Sequence, residues 1–218
     1  MVTEDAFPAL PRGRHNLSRE QVADVQRQRL LFGMAAAVSE KGFAKTSVAE
    51  VLSRAKVSRE TFYQHFDGKE ACFLALLDTC SGILSTLIEG NLVASRSDDD
   101  PLTRFGTALE VYLRTLSEQV QIANVFFLEA PAAGPGARER RFDVQRRFTE
   151  SVALNFREDP GWAAVPDPEF ACQLLVAAIS SLVVGKLAVG EAKDLPGLHE
   201  PIMALLRGIR DSRVSGEA

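Results

Sequence analysis

The sequence predicts an all-α protein: an N-terminal three-helix domain with a helix-turn-helix, followed by a larger helical domain. Three observations carry that expectation. Apolar residues recur at three- and four-residue spacing along most of the chain. Polar capping residues precede those stretches, and Gly or Pro follows them. No segment shows the strict alternation of a half-buried strand. The expected division is a flexible basic arm over 1–17, a first domain over 18–68 and a second over 69–218.

The arm carries Arg12-Gly13-Arg14-His15 just before the first helix. Such a segment can enter a minor groove, or can simply add local positive charge. The first helix starts after Ser18, with Gln21 closing a capping box. Leu30, Met34, Ala37 and Val38 form its inner stripe, and Lys41-Gly42 ends it. Phe43 then tucks into the small core.

A second helix follows Ser47, which Glu50 completes as a capping box, with Val48, Val51, Leu52 and Ala55 on one face. Ser58 caps a third helix whose inward anchors are Phe62 and Phe66, one turn apart. Arg59, Thr61, Tyr63, Gln64 and His65 are left on its other faces. A core helix has no use for so many bulky polar groups, whereas a helix presented to a major groove does. Glu60, acidic beside a polyanion, faces away or orients Arg59.

A long helix runs from Lys69 toward Leu92, with Phe73, Leu76, Leu77, Cys80, Ile83, Leu84 and Leu87 on its apolar side. Ser and Asp residues over 94–100 break it, and Asp100-Pro101 opens the next helix with a cap and a Pro at the first position. That helix presents Phe105, Leu109, Tyr112 and Leu116. A short apolar helix over 122–129 ends at the Pro131 to Gly136 cluster.

Arg138 to Arg157 forms a longer helix with Phe142, Val152 and Phe156 inward, Phe148 close by, and a solvated start at Arg138-Glu139-Arg140-Arg141. Gly161 to Pro166 is a further break. Asp167-Pro168 caps a helix that is apolar on nearly every face from Leu174 to Val184, and a final helix carries Ile202, Leu205, Leu206 and Ile209 on one stripe.

Charge separates the two regions. The whole chain has a formal charge of −4, which argues against nonspecific coating of nucleic acid. Residues 12–69 hold 11 Lys and Arg against 6 Asp and Glu, while residues 70–218 hold 14 against 21. A basic end on an acidic body suits a steered, local contact with DNA.

The run Val57-Ser58-Arg59-Glu60-Thr61-Phe62-Tyr63-Gln64-His65-Phe66-Asp67-Gly68-Lys69-Glu70 resembles the DNA-binding domain of the TetR family of transcriptional regulators. The likeness covers roughly residues 18 to 77; the rest is similar only in helical layout. The resemblance implies that Tyr63 and Lys69 hold DNA phosphates and that Thr46 or Ser47 adds a phosphate contact. It implies that Arg59, Thr61, Gln64 and His65 lie toward base edges, after the Ser58 cap. The chemistry is coherent, since Arg pairs bidentately with guanine, Gln with adenine, and a Thr methyl meets thymine. For Tyr63 the competing reading is a half-buried core aromatic, and for Arg59 and Gln64 a solvated surface.

The resemblance further implies a homodimer through the helices around 169–189 and 200–211, with Ala177, Ala178, Ser181 and Gly185 permitting close approach. A two-fold dimer matches a palindromic double-stranded operator with half-sites about 34–36 Å apart. It also implies a small-molecule effector, lipophilic or aromatic, in a cavity lined by Phe105, Leu109, Tyr112, Phe126, Phe148, Val152 and Leu175, with Tyr112, Thr149 and Ser180 as polar handles. Release from the operator, and hence repression, is the family's usual outcome. The same aromatics at helical spacing also read as ordinary core. A constitutive DNA-binding dimer without effector is the alternative, and a Cys-dependent cytoplasmic enzyme a third reading.

No cofactor and no metal are expected. His15, His65 and His199 are far apart, and no Cys-x-x-Cys spacing exists. Cys72, Cys80 and Cys172 read as small buried apolar residues of a reducing compartment, with a thiol sensor as the alternative. With no signal peptide visible, and Leu174 to Gly185 too short to span a bilayer, the expectation is a soluble cytoplasmic protein with no membrane partner.

Overall fold

The computed structural model describes residues 18–94, 100–157 and 159–214; among them the chain forms ten α-helices and no strand. The proposed arm with Arg12 and Arg14, the break over 95–99, and the side chains of Leu84 and Leu87 lie outside what is described. The chain divides into two compact units between Leu76 and Leu77. That boundary falls inside a helix, Lys69–Ala94, rather than at its start as the sequence suggests.

The first unit is built by its caps. Helix α1, Arg19–Lys41, begins at Ser18 with both halves of its capping box formed and ends at Gly42, whose φ of 82° suits only glycine. Helix α2, Val48–Ala55, has the same box between Ser47 and Glu50. Glu50 also pairs with Lys41, and Arg54 pairs with Glu40, so the charged ends of α1 and α2 are tied together. Lys56 then turns the chain in the left-handed region at φ 53°, and Ser58 starts α3, Arg59–His65.

The core beneath these helices holds Leu30, Met34, Ala37, Val38, Val51 and Phe62, all fully buried, with Phe73 from the start of α4, Lys69–Ala94. Phe43 packs against Phe73 at 4.6 Å between ring centroids. Gly33 of α1 lies close against the backbone of α2. A Cβ there would lie 2.8 Å from the Val51 carbonyl oxygen and 3.1 Å from the Ala55 nitrogen, both backbone atoms that cannot swing aside.

In the second unit, α5 spans Pro101–Glu118 behind the Asp100 cap, which accepts from the amides of Leu102 and Thr103. Helix α6, Val120–Asn124, runs on into a π-helical turn, Val125–Glu129, and a 3-10 turn, Ala130–Ala132, rather than forming one regular helix. Helix α7 starts at Pro135, earlier than expected, because Gly134 at φ 110° and Pro135 at the first position open it together. It runs to Phe156. Arg104 donates to Asn155, and Asn155 donates to the Pro101 carbonyl, tying α5 to α7. The break expected after Arg157 contains one helical turn, α8, Pro160–Ala163, and its Trp162 stacks on Phe156 at 4.4 Å.

Helix α9, Pro168–Ala188, buries a single stripe of Cys172, Ile179, Val183 and Leu187, and its other apolar faces are open in the single chain. By length and composition alone the whole helix is long enough to cross a membrane, although its apolar run from Leu174 to Gly185 is not. A 3-10 segment, Ala192–Leu198, leads into α10, His199–Val214. Three expected inward residues point out, Ile83 on α4 among them at 47% exposed. Phe142 on α7 is 62% exposed, Val144 taking the inner position, and Leu205 on α10 is 64% exposed, with Met203 buried instead.

Gly33→Ala should therefore destabilise the first unit by about 1–3 kcal/mol, the cost of overpacking a site with no flexible neighbour. Gly82→Ala, in open space on α4, should leave the melting temperature unchanged or raise it. Thermal denaturation of the two variants side by side is the measurement.

Candidate nucleic-acid interface and internal cleft

Helix α3 owes its orientation to two phenylalanines. Phe62 is fully buried and Phe66 nearly so, their rings 5.8 Å apart. With both rings held inside, the intervening side chains turn outward. Tyr63 is 48% exposed with its ring edge-on to Phe62 at 5.3 Å, and Arg59 and Gln64 are exposed beside it. The Arg59 guanidinium lies 5.6 Å from the centre of the Tyr63 ring. His65 is half-buried against Phe66.

The N-terminus of α3 is closed by its own side chains. Ser58 Oγ accepts from the Thr61 amide at 3.0 Å, and the two hydroxyls share a further hydrogen bond at 2.8 Å. Thr61 is half-buried, its hydroxyl facing Ser58. Lys69, first residue of α4, donates from Nζ to the Phe43 carbonyl at 3.0 Å and sits over the Phe43 ring. An ammonium has three donors, so two remain for another acceptor.

Of the pair Thr46 and Ser47, one leaves the surface. Thr46 is 3% exposed and its hydroxyl donates to the Gly42 carbonyl at 2.9 Å, so the sequence-based phosphate contact at Thr46 is corrected. It staples the α1–α2 turn. Ser47 remains exposed, with its hydroxyl shared between the Glu50 carboxylate and the Glu50 amide.

The second unit contains an apolar cleft among α5, α7, α9 and the π-helical turn, partly open to solvent, with a cavity volume of about 80 Å³. Phe105, Leu109, Tyr112, Phe126, Phe148, Val152 and Ser180 all line it. Thr149 and Leu175 do not: the Thr149 hydroxyl is turned back to the Gln145 carbonyl, and Val176 and Ile179 supply the α9 wall. The π turn brings both Phe126 and Phe127 to the cleft, where a regular helix would rotate one away.

Seven lining residues escape the sequence reading, and only one of them, Arg141, carries a charge. Arg141 leaves the expected solvated run and enters the wall, while Arg140 stays outside and pairs with Asp78. Arg141 donates to the Ser180 hydroxyl at 3.3 Å and lies 5.9 Å from the centre of the Phe127 ring. Its Nε is closed off from solvent without a hydrogen-bond partner. Burial lowers its pKa from the ordinary guanidinium value, and nearby Tyr112 partly opposes that; burial in turn pushes the Tyr112 phenol up. The signal in the sequence that points to Arg141 is its place one turn before Val144 and Gln145, on the face toward the cleft.

The three cysteines are buried. Burial pushes the Cys72 and Cys80 thiols up to about 12 and raises Cys172 as well, the reverse of an activated nucleophile.

Comparison with known proteins agrees with this geometry. Residues 35–76 match the family of bacterial regulatory proteins, tetR family. The HTH-type transcriptional regulator YdgC of Bacillus subtilis (strain 168) is 27% identical over 182 residues, 83% of this chain and 90% of that protein. The HTH-type transcriptional activator FasR of Mycolicibacterium smegmatis is 26% identical over 171 residues, 78% of this chain and 77% of its own length. The crystal structure of the transcriptional regulator FadR from Bacillus subtilis, in complex with stearoyl-CoA, shares the fold at a TM-score of 0.69. It is 16% identical, and the match covers 82% of this chain and 96% of that one.

The raised thiols set an expected outcome. At pH 8 a thiol with a pKa of about 12 is ionised in only on the order of 10⁻⁴ of molecules, against roughly a tenth or more for a free cysteine. Native protein should therefore react with a disulfide reagent far more slowly than denatured protein. Rapid modification of Cys72 or Cys80 in the folded chain, followed by mass spectrometry, would restore the thiol-sensor reading.

Proposed function

We propose that this chain is a TetR-family transcriptional regulator, a homodimeric repressor released from a palindromic operator by a small lipophilic or aromatic effector. The observation that carries the DNA-reading half is α3, whose two phenylalanines are buried while Arg59, Tyr63 and Gln64 face out. Tyr63 and Lys69, with Ser47, are the phosphate-binding set in this reading. Arg59, Gln64 and His65 lie toward base edges, and Thr61 offers its methyl group while its hydroxyl serves the cap.

The dimer is supported by an apolar face with no cover in the single chain. Phe170, Leu174 and Leu182 on α9 and Leu205 on α10 are all exposed. A second copy across a two-fold axis buries that face against itself, and two-fold symmetry suits a palindrome. The effector half is supported by the aromatic lining of the cleft, and by FadR, a fold neighbour whose crystal structure holds stearoyl-CoA. Ligand binding shifts the dimer toward an arrangement in which the recognition helices no longer fit their grooves. Reversing occupancy from 1:99 to 99:1 requires a differential affinity of roughly 10⁴-fold, about 5.5 kcal/mol. Weaker coupling still tunes expression.

Selection of bound duplexes from a random pool tests this directly: a palindromic consensus supports the reading, and no enrichment at low ionic strength defeats it. Because FasR is an activator, a reporter behind the selected site decides direction, rising on deletion of this protein if it represses. Lys69→Ala should weaken binding on every sequence and reduce the salt slope by about one phosphate. Arg59→Ala should relax the consensus at one position of each half-site, at about 1–3 kcal/mol. Leu182→Glu should yield a folded monomer by analytical ultracentrifugation; an unchanged mass would sink the interface.

A further inference from the structure

The cleft is apolar almost throughout, yet a guanidinium stands in its wall. Arg141 has five N–H donors, and the acceptor it reaches is the Ser180 hydroxyl at the long distance of 3.3 Å. Among the described residues no carboxylate lies within 4.0 Å of it, although its neighbours Arg140 and Arg146 both have one. A cation held against Phe127 and Tyr112 without a counter-ion costs folding energy that Met or Leu at this position would avoid. Three further groups able to hydrogen-bond, the Ser180 hydroxyl, the Tyr112 phenol and the Gln145 amide, line the same cleft.

We propose that the cleft takes an amphiphilic carboxylic acid, its apolar body against Phe105, Phe126 and Phe148 and its single carboxylate paired with Arg141. This rests on the reading of the cleft as the effector site and adds the head group that the site recognises. The terminal guanidinium nitrogens donate to the carboxylate directly; a rotation of the side chain presents the Nε edge, giving the two-point pairing that carboxylates favour and ending the isolation of Nε. The Ser180 hydroxyl, already at the guanidinium, donates to the second face of the carboxylate. Tyr112, kept protonated by burial, is available as a further donor. The ligand's negative charge cancels the one formal charge in the wall, so the liganded cleft is neutral.

The test is a matched head-group series measured by isothermal titration calorimetry on the full-length protein at neutral pH. The probes are decanoate, methyl decanoate, decanol and decylamine, with the same heads on a hexadecyl chain as a second set. Decanoate or its longer homologue should bind about tenfold or more tighter than the ester and alcohol of the same chain, as a charge-assisted pair requires. The amine should bind weakest. Arg141→Met should remove the preference by weakening the acid while leaving the alcohol unchanged or tighter, with circular dichroism checking the fold. If that variant does not fold, the head-group series on the wild-type protein decides alone.

Equal binding of acid, ester and alcohol, or an acid preference that survives Arg141→Met, would overturn the proposal while leaving the cleft as a lipophilic site. Failure of every probe of both lengths to bind would overturn the effector reading itself, and the head-group assignment with it.

Discussion

Everything that makes the first unit a reading head depends on the burial of Phe62 and Phe66 in a helix of seven residues. Such a helix has too few internal hydrogen bonds to stand alone in water. It exists because both rings are inserted beneath it and because Ser58 holds its first turn. The same two rings fix its rotation about its axis: with Phe62 inside, Tyr63 and Gln64 cannot be. Removing either anchor would cost more than packing, since the surface chemistry is specified only through the rotation that the anchors impose. The close contact at Gly33 supports this indirectly, by letting α1 sit on α2 near enough to form the floor on which α3 rests.

Much of this was legible in the sequence, and for a local reason. A capping box, a glycine stop and an aromatic pair one turn apart are decided within a few residues, so Ser18 with Gln21, Ser47 with Glu50, and Phe62 with Phe66 were read correctly. What failed was decided by partners far along the chain. The resemblance puts Thr46 or Ser47 at a phosphate, but the Thr46 hydroxyl donates to the Gly42 carbonyl and the residue is buried. Phe142 and Leu205 share stripes with buried residues, and periodicity cannot say which edge of a broad stripe the neighbouring helix covers. Arg141 was hidden by company, because four charged residues in a row read as a solvated face. Only tertiary structure separates Arg140, paired with Asp78 outside, from Arg141 inside.

Helix α9 illustrates how one sequence pattern serves two surfaces. It is apolar on nearly every face, and the single chain fully buries only the stripe through Cys172, Ile179, Val183 and Leu187. A helix with that composition demands cover on its remaining faces. A membrane would meet the demand by composition, but Gln173, Ser181 and Lys186 interrupt the outward side, and Lys186 is engaged with Glu191 at 2.6 Å. The outward face also carries Ala177, Ala178 and Gly185, small residues that let a second backbone approach closely. A protein surface accommodates that mixture of small, polar and large apolar residues better than a lipid tail does.

The inner stripe of the same helix bears on how a cleft could be coupled to anything at all. An apolar wall holds its neighbours through many contacts that have no preferred direction, each gaining only about 0.1–0.2 kcal/mol. A carboxylate between guanidinium and hydroxyl groups behaves differently, since hydrogen bonds weaken steeply with angle and distance. Ser180 stands on α9 and Arg141 on α7, so an anion bridging them would fix the separation of those two helices to within a few tenths of an ångström. In the present arrangement their contact is long at 3.3 Å. An occupant that tightens it would favour one register of α7 on α9 over another, which is the differential binding that a population shift requires.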